Sequence, residues 1–270
     1  MIAAILLIAL IGDGNAATPP CPVGMVYLPL SKVCIDMYEA STVDTTSQES
    51  SSPNYNPNAS EAAWQWNRFV NMTVPGYPMP PRGAEYTRAL TFLPMAQSIF
   101  NSTPQSYVDR PNAETACGNA GKRLCFLSEW KEACRGPRNT TFPYGDSYTA
   151  GRCNVGVPYW PPALLNRSNN WEMLDPRIAP LTYPRTSIPF RTRAGAHTQC
   201  TNGYGAFDMV GNNAEIVADI PRESYMTFAG GFYARDSTTP QVVSCEWAVT
   251  AHAEWYNDYS IGFRCCASLP

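Results

Sequence analysis

Ten cysteines, an even number with no Cys-x-x-Cys pair among them, constrain this chain more than any other feature. Paired metal-ligand spacing is absent, so the thiols point to disulfides formed in an oxidising compartment. A chain stapled in this way does not need long regular elements, and its composition agrees. With 25 prolines, 18 glycines and only 15% charged residues, the 270 residues suit a loop-rich globular fold rather than a coiled coil or a disordered tail. The length is enough to bury a sizeable core. A net charge of −3 without a basic patch argues against nucleic acid as a partner.

Residues 2–11 form an apolar run too short to span a bilayer, followed by Asp13, Gly14 and the small residues Ala16 and Ala17. Residues 1–17 read as a secretion signal, or else as an apolar N-terminal segment that is kept and packed. The remainder, 18–270, reads as one domain with no transmembrane span. Five Asn-x-Ser/Thr sequons, at Asn58, Asn71, Asn101, Asn139 and Asn166, fit a secreted glycoprotein.

Local patterning is uneven. Strands are expected at 25–28 and 33–37, with Cys21 and Cys34 close enough to staple the hairpin. Residues 42–110 read as an irregular Ser/Pro-rich insertion whose proline density excludes long helices, with Trp64 and Trp66 docking it on the core; a helix near 89–100 is the one regular element expected there. A short helix is expected at 113–118 and another from Ser128 to a stop at Gly136. The tail, 227–265, alternates apolar and polar residues and reads as antiparallel strands of one small sheet. Within 202–219, NGYGAFDMVGNNAEIVAD, Gly-rich turn chemistry brings Asp208, Asn212, Asn213 and Glu215 close together. Such clustered oxygens suit either a hard cation or an ordinary polar turn.

In order along the chain, CIDMYEAS, AGKRLCFLSEWKEACRG, FPYGD with a later CN pair, NGYGAFDMVGNNAE, FAGGFYAR and IGFRC resemble the formylglycine-generating enzyme, or sulfatase-modifying factor, family. The resemblance runs from about Met25 to Cys265 and skips 42–110 and 158–199. It implies an α+β, loop-rich fold like that of C-type lectins, with short antiparallel strands, two or three short helices and several disulfides. It pairs Cys117 with Cys265 and Cys134 with Cys245. Connectivity of the other four is not fixed by sequence; Cys125–Cys266 with Cys153–Cys200 is the expected arrangement. The resemblance also implies structural Ca²⁺, held by the Asp208 and Glu215 carboxylates and the Gly211 and Asn213 carbonyls, and a second site beginning at Asn154 and Val155.

Catalytic members of that family hold Cu(I) with two cysteines, and the corresponding positions here are Arg235 and Pro240. Neither ligates a soft metal, so no copper is expected. Two histidines, no Gly-x-Ser-x-Gly elbow and no phosphate-type glycine loop leave zinc, hydrolase and nucleotide chemistry without support. The expectation is a secreted, non-catalytic domain for extracellular binding or assembly, taking a glycan, a protein or another copy of itself. The alternative is a divergent formylglycine-generating oxidase acting on a sulfatase cysteine. Arg235, Trp255, Tyr256 and Asp258 are the candidate contact residues. Phe232, Trp247 and Phe263 read as core.

Overall fold

A turn after Leu28 reverses the chain, so that β1 (Met25–Leu28) pairs antiparallel with β2 (Val33–Asp36) in the register Met25 opposite Asp36. The computed structural model describes residues 21–157, 161–169, 171–220, 224–234 and 243–269. The expected signal segment lies outside them. Next come β3 (Ser41–Asp44), α1 (Ala59–Phe69), α2 (Ala84–Thr87), β4 (Pro94–Gln97), α3 (Arg110–Asn119), β5 (Arg123–Leu124) and α4 (Leu127–Arg135). After a long segment whose described residues hold two short 3-10 turns, the chain closes with β6 (Ala214–Val217), β7 (Tyr225–Ala229), β8 (Ala248–Ala253), β9 (Ile261–Phe263) and β10 (Cys265–Ser268).

Three sheets result, in the orders β1-β2-β10-β5, β3-β4 and β8-β7-β6-β9. The tail therefore does not make one antiparallel sheet. β9 runs parallel to β6, with Ala214 opposite Ile261, while β10 leaves for the first sheet and pairs with β2 and β5. A single residue, Arg264, separates the two strands. The alternation in IGFRCC is real, but period-2 patterning does not say which neighbour a strand will take.

Five disulfides close this architecture: Cys21–Cys34, Cys117–Cys265, Cys125–Cys266, Cys134–Cys245 and Cys153–Cys200. They are the five pairs set out above. Two of them hold neighbouring residues of β10, one to α3 and one to the start of the α4 segment. These two span 148 and 141 residues. Cross-links over such long loops stabilise by about 4–5 kcal/mol each in the chain-entropy account.

Among the described residues, the core has three large parts and a small one of Met25, Cys34 and Ala267. Leu28, Ile35, Trp130, Met209 and Val217 pack between the first sheet and α4. Ala113, Ala116, Ile216, Phe228 and Phe263 pack between α3 and the third sheet. Tyr107, Leu165, Ile178, Phe190 and Tyr233 form a third part, which is how the segment between residues 141 and 200 is buried with almost no regular structure. Phe263 is core as expected, whereas Phe232 and Trp247 are half-buried against its edges.

The 42–110 region is more regular than its prolines suggest. Asn58 caps an eleven-residue helix, its side chain accepting from the backbone of Ser60 and Glu61, and no proline follows until the helix has ended. Residues 94–97 are strand, not helix, because they pair with β3 from Ser41–Gln97 to Asp44–Pro94. Asp44 locks that pair. One oxygen accepts from the backbone N–H groups of Thr46 and Ser47 at 2.9 and 2.8 Å, the other from Leu93 at 2.9 Å. These donors hold its carboxyl down at about 2, against an ordinary value of 3.8. A depressed folded-state value means the stabilisation is complete above the unfolded value and fades as pH falls through the folded one. Asp44→Asn should thus melt below wild type at neutral pH, with the gap closing between about pH 4 and pH 2. Thermal melts across that range check it, and a gap independent of pH would contradict the assignment.

Candidate functional site

Two places gather the residues singled out in the sequence. The first is the buried loop from Asp208 to Glu215. Asp208 and Asn212 adopt left-handed backbone, with φ of 55° and 57°. Gly211, at φ 82°, passes so close to Asn154 that a Cβ would lie 2.3 Å from the Asn154 carbonyl oxygen. The two segments expected to hold separate calcium ions are thus pressed against each other. The Asn212 N–H donates to that carbonyl at 2.9 Å, and the Asn154 amide donates to Asn212 Oδ1 at 2.9 Å. Val155 sits beside Gly211 at this crossing. Glu39 reaches in from after β2, accepting from Asn212 Nδ2 at 2.5 Å and from the Asn213 N–H at 2.9 Å.

Glu215 is fully engaged. Its Oε1 accepts from Arg264 at 2.5 Å, and its Oε2 accepts from Arg264 Nε at 2.6 Å and Trp130 Nε1 at 2.7 Å. Both partners of this ion pair are 1% exposed. Asp208 accepts from the Gly195 N–H at 2.6 Å, and its other oxygen is buried without a hydrogen bond. Burial pushes the Asp208 carboxyl up to about 6. Burial, then the Asp208 and Glu215 charges, push Glu39 well above the carboxylate range. As placed, this donor set does not fit Ca²⁺. A dication at Glu215 would compete with the guanidinium for the same two oxygens and sit in its positive field. No cluster of three His, Cys, Asp or Glu suited to a metal occurs among the described residues. The internal cation Arg264 fills the electrostatic role. Melting temperature should accordingly be the same with calcium and with EGTA; a fall of several degrees in EGTA would mean that a metal displaces Arg264.

The second place is a cleft of 760 Å³ lined by residues from four separate stretches of chain. From α1 come Ser60, Glu61, Trp64 and Gln65, placed on one face by their three- and four-residue spacing. Trp171 and Leu174 come from the segment after α4, and Trp255, Tyr256 and Asn257 from the loop after β8. Asp109, the N-cap of α3, completes the wall. The three tryptophans are 40%, 56% and 64% exposed, values that set them apart from the buried Trp130. Trp64 and Trp171 lie 6.3 Å apart between ring centroids. The Arg68 guanidinium lies over both, 5.6 Å and 5.9 Å from their centroids.

The cleft is braced from behind. Gln65 accepts from the Asn56 N–H at 2.7 Å and donates to the Leu174 carbonyl at 3.2 Å, joining α1 to the Trp171 segment. Tyr256 stacks on His252, centroids 3.9 Å apart, and its hydroxyl donates to Asp258 at 2.9 Å. Asp109 accepts from Asn112 and Asn56. Burial raises the Glu61 carboxyl first, and the Asp109 charge second.

Of the expected contact residues, Trp255 and Tyr256 line the cleft. Asp258 does not: it is 8% exposed and fastens Tyr256 and Ser260 from beneath. Arg235 and Pro240 lie outside the described residues. Trp66 packs within the insertion, against Tyr55, Tyr86 and Arg82, and its neighbour Trp64 opens into the cleft. Trp171, Glu61, Gln65 and Asp109 carried no signal that sequence reasoning used. The i, i+3, i+4 spacing of Glu61, Trp64 and Gln65 was the available one. Of the sequons, Asn71, Asn101, Asn139 and Asn166 are exposed and Asn58 is half-buried at the α1 cap.

A disulfide-stapled α+β fold with short strands, four short helices and a buried Glu–Arg pair under a Gly-Asn loop defines the class. The chain belongs to the sulfatase-modifying factor enzyme 1-like domain family, whose model matches residues 45–269. Among solved structures, it is similar to PvdO from Pseudomonas aeruginosa at 18% identity and a TM-score of 0.43, covering 88% of this chain and 80% of that one. It is similar to CarF at 13% identity and a TM-score of 0.44, covering 88% and 87%. Treponema denticola variable protein 1 matches 54% of this chain and 47% of its own, at 17% identity and a TM-score of 0.32. No curated protein sequence matches the chain.

Proposed function

We propose that this chain is a secreted, non-catalytic member of its family that binds an oligosaccharide in the tryptophan-lined cleft. The observation that carries the reading is the convergence of Trp64, Trp171 and Trp255, all exposed, on one 760 Å³ cleft that also offers Gln65, Asn257, Glu61 and Asp109. Flat aromatic faces accept the C–H faces of sugar rings, and fixed amides and carboxylates accept and donate to the hydroxyls. Half-exposed indoles bury little of their surface in the fold, so their clustering at a concave site favours a ligand. A cleft of this volume accommodates a few sugar rings.

Two further features support the non-catalytic, extracellular half of the reading. All ten cysteines are joined in disulfides, which leaves no thiol to hold Cu(I). Five disulfides also fit an oxidising compartment. Incubation with a Cys-containing sulfatase-type peptide, Cu(I) and O₂ should give no aldehyde mass; turnover abolished by copper chelation would restore the oxidase alternative. The binding half is tested by titrating a panel of neutral, amino and acidic oligosaccharides while following tryptophan emission. Saturable change with at least one class is expected, and a flat response to every class would remove the reading.

A further inference from the structure

Among the described residues, every charged group lining the cleft is a carboxylate. The Glu61 carboxylate stands on its wall with no hydrogen bond and no ion pair among the described residues, and Asp109 lies beside it, 5% exposed. Each donor to Asp109 is a neutral amide, from Asn56 and Asn112, so its charge is oriented but not cancelled. Among the described residues, no Lys, Arg or His lines the cleft. The nearest cation in the aromatic cluster, Arg68, lies over the Trp64 and Trp171 rings.

We propose that the cleft selects oligosaccharides carrying free amino groups, glucosamine-type polymers, over their N-acetylated and acidic counterparts; this rests on the oligosaccharide reading above. An ammonium entering beside Glu61 meets an uncompensated negative field in a site partly shielded from water, where a charge pair is worth more than in bulk. The same ammonium gains from the Trp255 indole face, whose negative quadrupole attracts cations, whereas the Trp64 and Trp171 rings already carry Arg68. Uronic or sulfated sugars meet the opposite field and are repelled. Acetylation removes the charge while keeping ring size and shape, which isolates the electrostatic contribution. A lysine-rich peptide carries the same ammonium, but its flexible side chains lack a ring face to lay on Trp171 and Trp255, so the sugar is the better fit.

The experiment compares glucosamine oligomers, N-acetylglucosamine oligomers of equal length, glucuronate oligomers and an oligolysine peptide, by calorimetry at low and moderate salt. The expected order places the amino oligomer about tenfold tighter than the acetylated one, with glucuronate weakest. The preference should shrink with salt. In Glu61→Gln the ratio of amino to acetylated affinity should fall towards one, and circular dichroism checks that the variant is folded. Acetylated oligomers binding as well as amino ones would overturn the charge selection and leave the oligosaccharide reading standing. Glucosamine selection that survives in Glu61→Gln would overturn the role given to Glu61. Oligolysine binding with no sugar binding would overturn both readings.

Discussion

Arg264→Met is expected to lose about 3–5 kcal/mol of stability, and with it most soluble expression. The residue is 1% exposed and stands alone between β9 and β10, where the chain crosses from one sheet to another. Its guanidinium donates to both oxygens of Glu215, to the Asp36 and Met37 carbonyls and to the Phe207 carbonyl. One side chain thus ties the hairpin, the Asp208 loop and the third sheet together. Removing it leaves Glu215 charged and buried, close enough to raise the carboxyls of Asp208 and Glu39 on top of their burial. Stranding a buried charge is costly because neither water nor a partner replaces the lost cation. Arg264→Lys should recover part of the loss, since an ammonium keeps the charge but cannot span both oxygens and three carbonyls. Arg264→Met combined with Glu215→Leu should lose less than the two single changes summed. Urea denaturation of wild type and the four variants measures this. If Arg264→Met lies within about 1 kcal/mol of wild type, Arg264 is not the internal cation that organises the fold.

The Trp171→Ala, Trp255→Ala double variant should lose oligosaccharide affinity by about a hundredfold or more, with its melting temperature within a few degrees of wild type. Truncating an exposed stacking platform typically costs about 1–3 kcal/mol per ring. The same truncation at the wholly buried Trp130 would also leave Glu215 short of a donor and disturb the fold. Exposures of 56% and 64% mean that little packing is lost with either cleft ring. The two rings come from distant stretches, so their effects should add unless one sugar ring spans both. Unchanged affinity in the double variant would place the ligand elsewhere.

What the sequence made legible follows from the range of the signals involved. β1, β2 and α4 were readable because turn residues and helix stops act over a few positions: the reversal after Leu28 and Gly136 after Arg135. α1 was hidden by prolines on both sides of it, although the helix itself contains none. β9 and β10 were visible as alternation, but their split into two sheets depends on Arg264 reaching Glu215, a contact over 49 residues. The Asp208 loop was recognised as a junction of oxygens. The arginine beside it was not, because the bond from Arg264 to Glu215 spans 49 residues. Half of the cleft was found through Trp255 and Tyr256. Its other half comes from Trp64 and Trp171, whose meeting no local pattern encodes.

The most direct test of the central claim reads all the tryptophans at once. The chain has seven, and each indole N–H gives a separate signal in a nitrogen–proton correlation spectrum. On titration with a glucosamine oligomer, the signals of Trp64, Trp171 and Trp255 should shift together and saturate, while that of Trp130, held on Glu215 in the core, stays in place. If the three cleft signals remain fixed at saturating oligosaccharide of every class, the cleft is not a sugar site and the proposed function is wrong.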